Sequence, residues 1–330
     1  MQRLVAAVDL GSTKITAIIG EVTGDSRSWG LRILGVGSER STGVRRGVIR
    51  DFEETVRAVT KAMTDAERIA GLEVGTVYVG AGGEQIAQRI SHGVASITGS
   101  EVRTSELARV NDVASSVSFG HDQELLHAIP HDYLVDGQAG YADPIGMSGE
   151  RVEAEVYILT ARASALAHQR KAIEKAGWNV GEVVVEPLAA SLAVLTPEER
   201  EMGSVLVDLG GGSTSVAIFQ GGKLRHTASL RFAGGHLTSD LVHGLGVTQA
   251  EAERIKEKWG AAYEPMIPEN EVVEVVLTGG QGPRQVKRQL IAHIMHARLQ
   301  EVLELAYDEV TRAGWAMAGL PCGAVVTGGG

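Results

Sequence analysis

The 330-residue sequence contains a single cysteine, Cys322. An internal disulfide is excluded, and one thiol in so long a chain suits a reducing compartment. Apolar, glycine-rich neighbours predict that Cys322 is a core residue rather than a nucleophile. Aromatic residues are few, at 4%. No run of about 18 apolar residues occurs, so no segment reads as a membrane-spanning helix. No N-terminal stretch joins a basic head, an apolar centre and a small-residue cleavage site, so a secretion signal is not expected. Positive charge is also lacking. The formal net charge is −10, which argues against a broad basic surface for nucleic acid.

Glycine is abundant, with 42 residues, and apolar residues make up 44% of the chain. That combination predicts packed cores joined by many tight turns. The length predicts two or three domains, at about 100–200 residues each.

One stretch organises the rest. Val205–Val207 reads as a buried strand, Asp208 ends it, and Gly210, Gly211 and Gly212 form a turn. Glycine is expected there for its freedom to take positive φ. Ser213 and Thr214 follow, and Val216–Phe219 returns as a partner strand. Such a hairpin aims backbone N–H groups at a phosphate with no side chain in the way. A carboxylate at the strand end suits Mg²⁺ held through water. An ordinary hairpin turn would look the same. The pattern, however, recurs near the N-terminus, where Val5–Val8, Asp9, Gly11, Ser12 and Thr13 precede Lys14 and a second apolar strand. Val-Asp-Leu-Gly stands at 8–11 and again at 207–210. A repeat this far apart predicts duplicated halves, with two hairpins clamping one phosphate chain. A third glycine run, Gly328, Gly329 and Gly330, follows another apolar strand.

Between these motifs the reading runs in order. Ile15–Val22 and Leu31–Val36 are strands joined by a polar turn at 23–26. Asp51 caps a helix whose Phe52, Val56, Val59 and Met63 recur at helical spacing. Val74–Gly80 is a strand. Gly93–Thr98, 125–136 and 152–160 are extended, with a helix over Ser105–Ser118. The stretch between the last two extended segments reads as a strand and a Gly/Pro-rich turn region. Ser164–Gly177 is a helix stopped by glycine, and Trp178–Glu186 is a strand. Pro187 opens a further helix. Residues 196–201 are a polar connector. A helix from about Thr238 to His243 precedes one capped by Thr248 over Gln249–Trp259. Val272–Thr278 is a strand and Gln285–Thr311 a long helix with an apolar stripe. His293 and His296, with no third ligand beside them, read as surface or packing residues.

The hairpins carry a resemblance. Asp9–Thr13 resembles the phosphate-1 loop of the actin-like ATPases, and Asp208–Thr214 resembles phosphate-2. Val185–Ser191 is similar to the first connecting motif and Val326–Gly330 to the adenosine motif. Within 129–153, Ile129, Pro130, Tyr133, Asp136–Gln138, Gly140, Pro144, Gly146–Gly149 and Arg151 closely match the pattern of the FtsA family of bacterial cell-division proteins. The resemblance implies an α/β, actin-like (ribonuclease H-like) duplicated fold, with two lobes around a nucleotide cleft and an inserted subdomain. It implies lobe I over 1–83 and 162–197, the insert over 84–161, lobe II over 198–240 and 312–330, and its subdomain over 241–311. The implied ligands are ATP and Mg²⁺, the metal held through water by Asp9 and Asp208. Gly11, Ser12 and Thr13 would bind phosphate with Gly210, Gly211, Gly212, Ser213 and Thr214, and Lys14 is an even choice between phosphate contact and surface residue. Glu186 would position the lytic water, although a helix-start carboxylate favoured by the dipole is a serious rival. Glu253 and Lys256 would serve the ribose and adenine, or simply pair with each other. Gly328, Gly329 and Gly330 would back the adenine.

No lysine or arginine stands out as a transition-state cation, so slow hydrolysis with a switching role is expected. The implied partners are the C-terminal tail of FtsZ through 241–309, further copies of the chain in a filament, and later divisome proteins through 84–161. No nucleic-acid partner is expected. The implied location is cytoplasmic, at the inner face of the cell membrane at the division site. FtsA-family chains continue beyond the adenosine loop to a terminal amphipathic helix, whereas this sequence stops at Gly330. A truncated chain is therefore expected, with membrane contact only in a longer product. Two rivals are a small-molecule (sugar-type) kinase, for which no catalytic Asp is found, and a pilus or cell-shape actin homologue, against which 129–153 argues.

Overall fold

The computed structural model describes residues 3–24, 29–280 and 282–330. Asp25 and Ser26, in the expected polar turn, lie outside the described residues. The chain begins as a meander of β1 (Arg3–Leu10), β2 (Lys14–Gly24) and β3 (Trp29–Arg40). A small hairpin, β4 (Val44–Arg45) and β5 (Val48–Ile49), leads to helix α1 (Phe52–Ala70). The Asp51 carboxylate accepts from the Glu54 amide at 3.0 Å, and Gly71 closes the helix in the left-handed region. Val59 and Met63 on the inner face are fully buried. Gly35 and Gly37 let α1 lie directly on β3, since a Cβ on Gly37 would sit 1.8 Å from the Ala62 carbonyl oxygen. Strands β6 (Thr76–Ala81) and β11 (Asn179–Val185) complete a five-stranded sheet ordered β11-β6-β1-β2-β3.

A second layer leaves this sheet after β6 and returns at helix α3 (Ala163–Ala176). It holds β7 (Ile86–Ser96), α2 (Thr104–Ser115), β8 (Gln123–Val135), β9 (Gln138–Tyr141) and β10 (Arg151–Arg162). Its sheet is ordered β7-β10-β8-β9 around its own core of Val110, Val152, Val156 and Ile158. The strand expected from Gly93 thus begins at Ile86, and the turn region hides β9. The α2 helix stops at Ser115 rather than Ser118.

Helices α4 (Glu186–Val194) and α5 (Pro197–Met202) lead into the second half. Residues 196–201 are therefore not a plain connector: Thr196 and Glu199 form a reciprocal capping box that starts a short helix. Strands β12 (Ser204–Leu209), β13 (Thr214–Gln220) and β14 (Lys223–Leu230) repeat the opening meander. Helix α6 (Gly234–Leu245) starts four residues earlier than its apolar pattern suggests. Next come α7 (Gln249–Trp259), capped by Thr248, and a hairpin of β15 (Val272–Val276) and β16 (Pro283–Lys287). Helix α8 (Arg288–Arg312) begins only after β16, because residues 283–287 pair with β15 instead of extending the helix. Its Ile291 and Met295 pack with α6 and α7, whereas Ala306 and Val310 pack under β12 and β13. Strand β17 (Ala324–Thr327) completes a sheet ordered β14-β13-β12-β17.

The duplication is visible in the pairing. β1 runs antiparallel to β2 and parallel to β6, while β12 runs antiparallel to β13 and parallel to β17. Asp9 faces Thr16 across its hairpin and Asp208 faces Ser215 at the matching place. Among the described residues no helix is long and apolar enough to cross a membrane.

Candidate functional site

The ends of β1, β11 and β12 meet at a cleft of about 480 Å³. Asp9, Asp208 and Glu186 line it, with Gly11, Ser12, Thr13 and Lys14 on one wall and Gly210–Ser213 on the other. The two hairpins interlock. A Cβ on Gly211 would fall 2.2 Å from Thr13 Cγ2, and one on Gly212 would fall 2.4 Å from Ser12 Oγ. This corrects the expected reason for the glycines. None of Gly210, Gly211 and Gly212 has a positive φ; they are glycine because the opposing hairpin occupies the space a side chain would need. The amides of Gly211 and Gly212 have no acceptor among the described residues, and so are free for an anion.

The charges explain what such a site can hold. Burial pushes the Glu186 carboxyl up to about 8, with the charges of Asp9 and Asp208 adding to the effect. The residue as a whole is partly exposed to the cleft, but its carboxyl end is wrapped by backbone at Gly80 and Gly82. Burial and the Asp208 charge also raise Asp9, which Lys14 partly offsets, and burial raises Asp208. Three carboxyls held together against their preference for solvent favour a cation. Among the described residues, however, no three His, Cys, Asp or Glu side chains are placed to chelate a metal by themselves. A hydrated divalent ion shared with phosphate oxygens fits this arrangement better than a protein-only cage.

A second space of about 760 Å³ adjoins the first and is lined by Lys14, Glu253, Lys256, Gly329 and Gly330. Glu253 and Lys256 pair at 2.8 Å, and Thr238 Oγ1 donates to Glu253 at 2.5 Å. Burial works against the Glu253 charge, but the Lys256 and Thr238 bonds and the Arg40 charge hold its pKa below the usual value. The third glycine run closes against the end of β12. The Gly330 amide donates to the Leu209 carbonyl at 2.8 Å, and Gly328 has φ 110° with the same carbonyl oxygen 2.2 Å from where a Cβ would be.

One expected ligand residue is misplaced. Thr214 is fully buried and donates its hydroxyl to the Phe232 carbonyl at 2.7 Å, so it braces the turn before α6 and does not face the cleft. His293 pairs with Glu264 and His296 bonds the Ala262 carbonyl. Cys322 is half-buried, not a core residue.

A model for cell division protein FtsA matches residues 205–324, and a model for the SHS2 domain inserted in FtsA matches residues 83–160. The chain is 35% identical over 327 residues to the cell division protein FtsA of Pseudomonas aeruginosa, covering 99% of this chain and 78% of that one. The chain belongs to the FtsA family. Its fold is actin-like. A PilM–PilN type IV pilus biogenesis complex superposes with TM-score 0.65 at 15% identity, over 99% of this chain and 81% of that one. MreB5 of Spiroplasma citri, solved bound to ADP, superposes with TM-score 0.56 at 14% identity, over 99% and 85%.

Sequence reasoning missed three parts of this FtsA-family cleft. Gly234 and Gly235 open α6 by donating to the Gly210 and Gly211 carbonyls at 2.9 and 2.8 Å, which fixes the second hairpin. Their signal was the Gly-Gly pair just before the apolar pattern. Gly82 leaves room for Glu186, whose Oε2 lies 1.8 Å from where a Cβ would be. The β4–β5 turn at Arg46 and Gly47 packs on the first hairpin, where the Arg46 amide donates to Ser12 Oγ at 2.9 Å. No periodicity marks that turn.

Proposed function

We propose that the cleft binds ATP with a hydrated Mg²⁺ and hydrolyses it slowly, so that the nucleotide switches a polymerising scaffold of the division machinery. The observation that carries this reading is the interlock of the two phosphate hairpins, with free amides on one side and three carboxyls beneath. Asp9 and Asp208 hold the hydrated metal, which supplies charge neutralisation along the phosphates. Gly11, Ser12, Thr13 and Lys14 contact the phosphates opposite Gly210–Ser213. Glu186, with a pKa near the working pH, orients water and accepts its proton. Glu253 and Lys256 face the nucleoside, backed by Gly328–Gly330.

The division of labour follows the domains. Lobe I comprises 1–83 and 162–197, and lobe II comprises 198–240 and 312–330. The insert at 84–161 takes later division proteins, and 241–309 takes the C-terminal tail of FtsZ. The molecule works at the inner face of the membrane.

Calorimetric titration of the full chain with Mg-ATP tests the site, with Asp208→Asn as the comparison. Binding that the substitution weakens at least about tenfold supports the reading. Equal binding by both chains sinks the role of Asp208, and no binding by the unaltered chain sinks the nucleotide reading. Capture of an FtsZ tail peptide by the full chain tests the partner; failure to bind removes that assignment.

A further inference from the structure

We propose that Arg46 is the cation that meets the terminal phosphate of the bound nucleotide, and that Glu84 holds it aside when that phosphate is absent. This rests on the nucleotide reading above. The backbone gives the first reason. The β4–β5 hairpin turns at Arg46 and Gly47, with φ of 50° and 75°. Such a turn favours Gly, Asn or Asp at both places, so arginine stands there at a local cost. The surroundings over-determine it. The Arg46 amide donates to Ser12 Oγ at 2.9 Å and lies 3.3 Å from where a Cβ on Gly212 would be. The Arg46 carbonyl oxygen lies 2.3 Å from the Cβ position of Gly83, and the Gly82 carbonyl oxygen 2.2 Å from that of Gly47. The Arg46 backbone therefore lies against both hairpins and the glycine pair beside Glu186, which roots its side chain at the cleft's edge.

The side chain gives the second reason. Arg46 Nη1 is 3.9 Å from Glu84 Oε1, a loose contact, and the side chain is 38% exposed. The other Glu84 oxygen is held at 2.9 Å by Arg231, from the end of β14 in the second half of the molecule. A partly exposed pair of this length contributes little. A guanidinium on phosphate oxygens makes stronger, two-pronged contacts. At the hairpins Lys14 is the lining cation beside three carboxyls, whereas Arg40, Arg45, Arg254 and Lys256 line the adjoining space; the terminal phosphates, entering at the hairpin end, therefore meet little positive charge besides Lys14. When Arg46 swings to the phosphate, Glu84 keeps Arg231 as its partner and is not left bare. Phosphate occupancy is thereby reported to the segment from which the inserted domain springs.

The test titrates the full chain with Mg-ATP and, separately, Mg-ADP. Arg46→Gly removes the guanidinium, and glycine prefers the left-handed turn, so the hairpin is preserved. It is expected to weaken Mg-ATP about tenfold or more and Mg-ADP by no more than about threefold. Glu84→Gln removes a loose partner of Arg46 and is expected to tighten Mg-ATP by no more than about threefold. If Arg46→Gly melts differently from the unaltered chain, Arg46→Lys replaces it; keeping a point charge without the fork, it is expected to lose part of the ATP preference. Equal losses for the two nucleotides, or no loss for ATP, overturn the proposal alone. No binding of either nucleotide by the unaltered chain overturns the nucleotide reading and this proposal with it.

Discussion

Glu186 ends the polar face of β11, begins α4, and keeps its carboxyl among backbone atoms beside two other acids. Its pKa rises from 4.5 to about 8, and the sign of the consequence follows from linkage. Below pH 4.5 the group is protonated in both folded and unfolded chains and costs nothing. As pH rises toward 8 the unfolded chain ionises freely while the folded one resists, so stability falls across that window and then levels off. At about 1.4 kcal/mol per pH unit the ceiling is roughly 5 kcal/mol. Asp9 and Asp208 share protons with Glu186 and so relieve part of the repulsion, which leaves about 1–2 kcal/mol as the working figure. Glu186→Gln should therefore raise the melting temperature of the nucleotide-free chain by about 1–3 °C at pH 8.5 and leave it nearly unchanged near pH 4.5. Melts recorded at both pH values check this, and a gain of equal size at both would show that charge is not the cause.

Elements meet where side chains are missing. α1 reaches β3 because Gly35 and Gly37 leave the helix backbone room. Gly37→Ala puts a methyl 1.8 Å from the Ala62 carbonyl oxygen and should destabilise the chain by about 1–3 kcal/mol. Gly75→Ala, where a Cβ meets no atom within 4 Å, should shift stability by no more than about 0.5 kcal/mol. Urea midpoints of the two variants separate the cases. The same physics marks what could be read from the chain alone. The capped helix at Asp51, the stripe on α8 and the repeated Asp-Gly hairpins are local patterns, and each stands where its residues predict. The glycines at 210–212 were legible as a turn, but the reason for them was not: their partner hairpin lies about two hundred residues away, and no local pattern encodes a cross-cleft clash. α5 was missed because a single-turn capping box has no periodicity. Thr214 was misplaced because a hydroxyl next to a glycine turn reads alike whether it faces a ligand or the Phe232 carbonyl.

Across the whole molecule, the inserted domain is bonded by its side chains to both halves: His127 Nε2 accepts from the Val185 amide of β11 at 3.1 Å and Glu124 pairs with Arg170 of α3, while a second set of contacts reaches β14. β14 is the edge of its sheet, and an open edge invites pairing. Here the insert covers it. His131 Nε2 meets the Leu224 carbonyl at 2.6 Å, and Lys223 Nζ donates to the His131 carbonyl at 2.7 Å. Arg225 pairs with Asp132 at 2.9 Å. The Thr227 amide donates to Gln88 Oε1 at 2.9 Å and lies 3.0 Å from the Tyr157 hydroxyl oxygen. Tyr157 in turn stacks on His131 at 4.9 Å. The β14 contacts thus couple the insert to the second sheet, while His127 and Glu124 hold it to the first. The Thr227 amide reports this strap directly, because its acceptors belong to the insert and not to β13. In the double variant Gln88→Ala, Tyr157→Phe that amide should exchange its hydrogen about tenfold faster, the loss of roughly 1.4 kcal/mol expected for one buried bond. Amides at Val152 and Val156, inside the insert's own core, should keep their protection. Residue-resolved hydrogen exchange on the full chain decides it. Unchanged exchange at Thr227 would mean that the two bodies touch without holding each other, and faster exchange throughout the insert would mean that the contact supports the insert's fold instead of its attachment.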